Sequence, residues 1–255
     1  MSEENKKLPD NSLSTAKNKE MTFTGHLEEL RQAIIVSVIS LVISSGFCFI
    51  YSKEVLDILT RPLMNTVKNV QLVFVSPAEA FTATLRASLI IGLIVALPII
   101  LNRLFWFISP GLSKKEKALS LPILIMSYFL FLVGVVFSYK ILLPFGVKFL
   151  IEFAPSNIKP MISIGNYVSF ASSLVLGTGL IFELPLFLIF LSFLNIVSSK
   201  LLKKYRRHAF LASFIIGGII TPSIDMMVQS LLAGALYSLF EISIAVISIL
   251  DRKKV

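Results

Sequence analysis

The sequence predicts an all-α polytopic membrane protein with six transmembrane helices, the last two of them short. Three observations favour this class. Of the 255 residues, 55% are hydrophobic and only 15% are charged, whereas a soluble domain carries about 25% charged residues. Several intervals long enough to cross a bilayer contain almost no charge, and lysine and arginine collect beside them. This composition disfavours a soluble enzyme, a disordered chain and, despite a net charge of +9, a nucleic-acid binder.

The first span follows a polar tail. Residues 1–21 show no apolar periodicity and are expected to form a disordered cytoplasmic tail without the apolar core of a signal peptide. Residues 32–52 carry no charge, and a helix of that length measures about 31 Å, which matches the hydrocarbon core of a bilayer. Apolar positions in residues 53–61 then predict a short amphipathic helix that ends near Pro62.

The second span covers roughly residues 80–107. Pro77 is expected to begin its helix, because the first helical position tolerates a missing N–H. Pro98 lies inside the span and predicts a kink. Arg86 and Arg103 lie near its two ends, from which their guanidinium groups can reach the lipid headgroups.

The third span is uncharged residues 118–139. Residues 140–160 are expected to form a loop, since they contain three prolines and three lysines besides Glu152. The fourth span lies between Lys159 and Lys200, an interval in which Glu183 is the only charged residue.

The final hairpin leaves two interpretations open. Residues 209–220 are apolar but would measure only about 18 Å as a helix. A Thr-Pro-Ser turn separates them from residues 226–250, which are apolar apart from Glu241. They form either one buried hairpin or two short spans. Because basic residues flank both ends, we count two spans, which makes residues 22–251 a six-span domain and residues 252–255 a cytoplasmic end.

The distribution of basic residues predicts the orientation. With six spans both termini share one side, and that side holds 17 of the 24 lysines and arginines. The positive-inside rule therefore places both termini in the cytoplasm, or in an equivalent compartment such as a plastid stroma.

The sequence carries no signature of catalysis or of a cofactor. It has no metalloprotease, nucleophile-elbow, dinucleotide or Walker motif. The two histidines, His26 and His208, have no cysteine or second histidine at ligand spacing, so no metal site is expected.

Two acidic residues on the predicted cytoplasmic side are candidates for binding a cation. Glu29 lies in the entry helix of the first span, where Glu28 and Arg31 are spaced for an i, i+3 pair. Glu116 is the only acid among three lysines of the loop after the second span. The structural interpretation is a capped helix and a charge-balanced loop. The functional interpretation of the first segment is a carboxylate exposed for a cationic partner. That of Glu116 is a carboxylate that a guanidinium can bind bidentately.

Glu183 is isolated within the fourth span. A carboxyl at bilayer depth costs roughly 2.5–3.5 kcal/mol on insertion scales. The structural interpretation is a protonated group packed between helices, and the functional one is a polar contact for a partner helix or a passing substrate. Asp225, at the start of the last span, is interpreted either as a helix cap or as a residue that binds water at the far interface.

These segments together resemble the TatC family, the multi-span core receptor of the twin-arginine protein translocase. The resemblance rests on HLEELR before span 1, RPL after it, LPIILNRLFWFISPGLSKKEK through span 2, FELP in span 4, KKYRRHAF before span 5 and TPSID through the last turn. It covers about residues 22–250.

The resemblance implies a cup-like bundle that binds twin-arginine signal peptides of folded proteins and works without cofactor or catalysis, driven by the proton-motive force. It implies single-span TatA- and TatB-type partners, self-association and a place in the bacterial inner membrane or a thylakoid membrane. The family's signal-peptide residues fall on Glu29, Arg31, Phe107 and Glu116, and its intramembrane glutamate falls on Glu183. Its other prolines and polar residues fall on Pro62, Pro98, Pro110, Asp225 and Gln229.

Two other classes compete with this interpretation. A small-solute transporter needs a midplane site, for which Glu183 is the only candidate, and no internal repeat supports it. An intramembrane hydrolase needs a paired acid or an activated nucleophile at depth, and Glu183 stands alone in its span.

Overall fold

The computed structural model describes residues 23–67, 70–108, 120–153, 160–194, 196–221 and 226–253. Three predictions of the sequence fall outside these residues: the tail of residues 1–21, the loop with Pro110 and Glu116, and Asp225.

Helices dominate the described chain, as the composition predicted. Five helical stretches are long and apolar enough to cross a membrane: Gly25–Ile50, Pro77–Phe107, Leu121–Glu152, Ile164–Phe193 and Met226–Asp251. Many large apolar side chains on them face outward; Val42 and Ile43, for example, are 64% and 67% exposed. Exposure of this kind suits a lipid environment and would be unusual for a soluble monomer.

The helices and strands are numbered here in chain order. They are α1 (Phe23–Ile50), α2 (Ser52–Thr66), β1 (Gln71–Val73), α3 (Pro77–Ile108), α4 (Ser120–Phe137), a π-helical turn (Ser138–Leu142), α5 (Leu143–Glu152), β2 (Met161–Ser163), α6 (Ile164–Phe182), α7 (Leu184–Phe193), α8 (Ser199–Lys204), α9 (Arg206–Ile220) and α10 (Met226–Lys253).

The third span is longer than predicted, and the loop expected at residues 140–160 was wrong for its first part. The chain continues through the π-helical turn into α5 and stays helical to Glu152. Pro144 has no N–H for the carbonyl one turn earlier. The π-helical turn widens the ladder just before it, with the Leu143 N–H donating to the Ser138 carbonyl five residues back.

Helix α2 also extends past its predicted end. It runs through Pro62 to Thr66, where the sequence predicted a stop near Pro62. The proline leaves the carbonyl of Ile58 without its usual intrahelical donor. The Tyr139 hydroxyl, projecting from the π-helical turn, donates to that carbonyl at 2.6 Å. A tertiary hydrogen bond thus replaces the one that Pro62 removes, and the helix continues.

This replacement predicts a specific coupling between two substitutions. Tyr139→Phe leaves the Ile58 carbonyl without a donor and should destabilise the protein by about 1–2 kcal/mol. In a Pro62→Ala background the alanine N–H can satisfy that carbonyl, so the same substitution should cost about 1 kcal/mol less. The free energy of unfolding in detergent micelles, measured for the four proteins of the cycle, gives this difference.

Tyr167 supplies the control for that cycle. Its hydroxyl donates to the Leu59 carbonyl at 3.0 Å. The helical partner of Leu59 is the N–H of Leu63, which is present in both backgrounds. Tyr167→Phe should therefore show no coupling to Pro62→Ala. Additive effects of Tyr139→Phe and Pro62→Ala would show that the Tyr139 hydroxyl does not replace the hydrogen bond that Pro62 removes.

A two-stranded parallel sheet, which the sequence did not predict, joins the segments before α3 and α6. Strand β1 pairs with β2 in the register Gln71 to Met161. Glu79, in the first turn of α3, accepts hydrogen bonds from the Val75 N–H at 2.6 Å, from the Gly165 N–H at 2.9 Å and from the Ser163 hydroxyl. The carboxylate therefore fastens the two loops to one another.

Close packing of α1 on α3 depends on small residues. The Ser44 hydroxyl donates to the Gly92 carbonyl at 2.8 Å. A Cβ at Gly92 would lie 2.4 Å from Ser45 Oγ, so only glycine allows this approach. The main buried cluster gathers residues of α2, the π-helical turn, α6 and α10, including Leu59, Leu63, Leu142, Val168, Leu174 and Leu232.

In the last hairpin only the first helix is short. Helix α9 has 15 residues, about 22 Å, whereas α10 has 28. The two helices pack against each other, and the Gln229 side chain on α10 donates to the Phe214 carbonyl on α9 at 2.9 Å. A Cβ at Gly218 would meet Gln229 Nε2 at 2.9 Å. Gln229 thus links the two helices of the hairpin.

Candidate functional site

One candidate site lies where α1 begins and α3 ends. Because the two helices are packed neighbours, the first turns of α1 meet the last turn of α3. The rings of His26 and Phe107 stack there, with centroids 4.3 Å apart and planes 11° from parallel. The structure therefore brings Phe107 to the HLEELR segment, as expected if both belong to one site.

Glu29 lies on the same face of α1 as His26. Its Oε2 atom is 3.6 Å from His26 Nδ1, a separation that allows an electrostatic pair but exceeds the range of a hydrogen bond. The same oxygen is buried and has no hydrogen-bond partner. An unsatisfied carboxylate oxygen of this kind is an acceptor for an external donor.

Arg31 is directed to a different acid. Its guanidinium contacts both carboxylate oxygens of Glu28 at 3.3 Å, the i, i+3 pair that the spacing predicted. Both side chains are largely exposed, at 69% and 53%. Arg31 thus balances Glu28 and leaves Glu29 to the contact with His26.

The second candidate site is formed by Glu183, at the break between α6 and α7. The Ser127 hydroxyl on α4 donates to Glu183 Oε2 at 2.6 Å. Glu183 Oε1 is buried and has no hydrogen-bond partner. Pro185 follows directly in the first turn of α7, and a proline removes one backbone donor at this depth.

Glu183 opens onto a groove of about 300 Å³. Apart from Ser127 and Glu183 the lining is apolar, and it comes from three directions: the end of α3, the start of α4 and the α6–α7 break. The apolar lining residues are Leu101, Leu104, Phe105, Ile123, Leu124, Leu180, Leu186, Phe187 and Phe190. A mostly apolar groove with one unsatisfied carboxylate oxygen suits an apolar segment that carries a single hydrogen-bond donor.

The remaining predicted residues lie apart from these two sites. Pro62 is in α2, and Pro98 is inside α3 without ending it. Gln229 joins α9 to α10. Glu241 accepts a hydrogen bond from the Tyr237 hydroxyl at 3.0 Å and another from Arg206 at 2.6 Å.

Sequence reasoning missed several partners. Ser127 and the stacking of His26 on Phe107 had no signal in the sequence, since each pairs residues far apart in the chain. The contact between His26 and Glu29 did have a signal, because an i, i+3 spacing places both side chains on one helical face.

Comparison with known proteins gives a consistent result. The family model described as Sec-independent protein translocase protein (TatC) matches residues 25–234. The Sec-independent protein translocase protein TatC of Carboxydothermus hydrogenoformans is 38% identical over 93% of this chain and 97% of the relative. The protein of the same name from Aquifex aeolicus is 36% identical over 92% of this chain and 98% of its own length.

A plant relative and a solved structure extend the comparison. The chloroplastic Sec-independent protein translocase protein TATC of Oryza sativa is 35% identical over 88% of this chain and 62% of the relative. A crystal structure described as the twin arginine translocase receptor TatC superposes with a TM-score of 0.78. It is 36% identical, and the match covers 88% of this chain and 98% of that one.

Proposed function

Because this chain belongs to the TatC family of Sec-independent protein translocase proteins, a receptor subunit of the twin-arginine translocase, we propose that it binds twin-arginine signal peptides through Glu29 and Glu116. Such a subunit is a transport receptor and not a catalytic enzyme. Its task is to hold a peptide at the membrane surface while partner subunits assemble around it.

The observation that carries this proposal is the unsatisfied oxygen of Glu29. A twin-arginine peptide offers two planar guanidinium groups, each with five N–H donors in a fixed fork. A buried carboxylate oxygen without a partner gains a charge-assisted hydrogen bond when such a group arrives. Phe107 adds an aromatic surface beside it. Glu116, nine residues after Phe107 in the chain, would supply the second carboxylate.

The orientation of this site follows from charge. The side that holds the start of α1 and the end of α3 is the one with 17 of the 24 basic residues, so we place it and both termini in the cytoplasm. Residues 22–251 are proposed to form one membrane domain between the tail of residues 1–21 and residues 252–255. The membrane would be the bacterial inner membrane or, for a plastid chain, the thylakoid membrane.

The Glu183 groove supports a second part of the proposal. TatA- and TatB-type single-span helices would dock on it, since it offers an apolar surface and one carboxylate oxygen as an acceptor. Placing a carboxyl oxygen within the bilayer without a hydrogen-bond partner costs free energy. A donor on a partner helix would offset that cost. The broad exposed apolar faces of the helices also leave room for self-association.

The test is a binding measurement with the purified protein in lipid nanodiscs. A twin-arginine signal peptide should bind at least tenfold more tightly than the same peptide with two lysines, because an ammonium cannot make the bidentate contact. The two peptides carry the same charge, so general attraction to the membrane cancels in the comparison. Equal affinities would contradict the proposed site.

A further inference from the structure

His26 occupies a position between the two groups assigned to peptide binding. On one side its ring stacks on Phe107 at 4.3 Å, and on the other its Nδ1 atom lies 3.6 Å from Glu29 Oε2. The stack favours this plane of the imidazole, because rotating the ring would lose the parallel contact with Phe107. The imidazole is therefore held beside the carboxylate oxygen that lacks a hydrogen bond.

The protonation state of His26 decides what this arrangement does. A neutral imidazole at 3.6 Å gives the carboxylate no charge partner and no hydrogen bond, so the oxygen remains available. An imidazolium at the same place is a cation beside Glu29 and competes with an arriving guanidinium. Histidine is the side chain that most commonly changes its charge between about pH 5 and about pH 8.

Within the described residues, the charged groups beside His26 come from two helices. Helix α1 itself contributes Glu28, Glu29 and Arg31, and the last two turns of α3, the helix packed against it, contribute Arg103. Glu28 is engaged with Arg31. Among the acids in the described part of the chain, Glu29 is the one within 4.0 Å of the imidazole.

We propose that His26 is a positioning residue of the peptide site: its stack orients Phe107, and its protonated imidazole competes with the guanidinium for Glu29 Oε2. The inference rests on the proposed function. Protonated His26 acts as a competitor, so peptide affinity falls as the pH decreases and the imidazole gains a proton. Affinity decreases at low pH because His26, the group that weakens binding, then carries a positive charge.

The experiment measures twin-arginine peptide affinity between about pH 8 and about pH 5.5, a range in which glutamate carboxylates stay mostly ionised. For the unmodified protein we expect affinity to be about threefold weaker at the lower pH. A change of this size corresponds to the free energy of a partly exposed ion pair. His26→Phe keeps an aromatic ring for the stack and cannot be protonated, so its affinity should be nearly independent of pH. His26→Gln, which removes the charge but also the ring, should be equally insensitive to pH and weaker throughout.

His208 provides the matched control, since it is the only other histidine in the chain. His208→Phe should keep the pH dependence of the unmodified protein. A pH dependence that persists in both His26 variants, or one that is lost in His208→Phe, overturns the inference while leaving peptide binding itself established. If the unmodified protein binds no twin-arginine peptide at any pH, the proposed function fails first, and the inference fails with it.

Discussion

Replacing both Glu29 and Glu116 by alanine is expected to abolish specific binding of a twin-arginine peptide. A hydrogen bond to a charged group contributes about 1.5–3 kcal/mol, so each single substitution should weaken binding roughly tenfold or more. The double substitution removes both carboxylates and leaves only apolar contacts. Folding should be unaffected by Glu29→Ala, because the carboxylate oxygen that it removes is buried and makes no hydrogen bond.

The neighbouring residue offers a matched control for this experiment. Glu28 is an exposed acid one position earlier and is already paired with Arg31. Glu28→Ala changes the net charge as Glu29→Ala does, yet it should retain peptide binding. Glu116→Asp, which keeps the carboxylate on a shorter side chain, should retain part of it. Affinities are read by titration in nanodiscs, with insertion checked by membrane extraction. Full binding by the double variant would remove these residues from the site.

Substituting Glu183 by alanine is expected to weaken contact with single-span partner helices roughly tenfold while protein stability is kept or raised. The stability expectation follows from the cost of a carboxyl at bilayer depth, only one of whose oxygens has a partner, the Ser127 hydroxyl. The partner expectation follows from the loss of the unsatisfied Oε1 acceptor that opens onto the apolar groove. Glu183→Gln should be milder, because the amide keeps an acceptor oxygen.

Site-specific crosslinking to TatA- and TatB-type helices measures this effect, with a photoreactive residue placed at Leu104 in the groove lining. Glu241 supplies the control, since it is a second glutamate in an apolar helix but is bonded to Arg206 and Tyr237. Glu241→Gln should disturb that local network and leave crosslinking in the groove unchanged. Unchanged crosslinking in Glu183→Ala and Glu183→Gln would make Glu183 a structural residue.

The sequence by itself determined the class of the protein and the approximate position of its helices. Charge-free intervals locate helices in a bilayer because each buried charge is costly there. Pro77 marked the start of α3, and the spacing of Glu28 and Arg31 gave their ion pair, since both depend on local geometry alone. The order of motifs along the chain was enough to indicate the family.

Only the tertiary structure decided where helices could continue through a proline and which polar groups found partners. Helix α2 passes Pro62 because Tyr139, 81 residues from Ile58, reaches the freed carbonyl. Glu183 keeps one free oxygen because Ser127, 56 residues away, takes the other. His26 meets Phe107 only because α1 and α3 pack side by side. Local propensity is encoded residue by residue, whereas these contacts depend on how distant helices are brought together, which no single segment specifies.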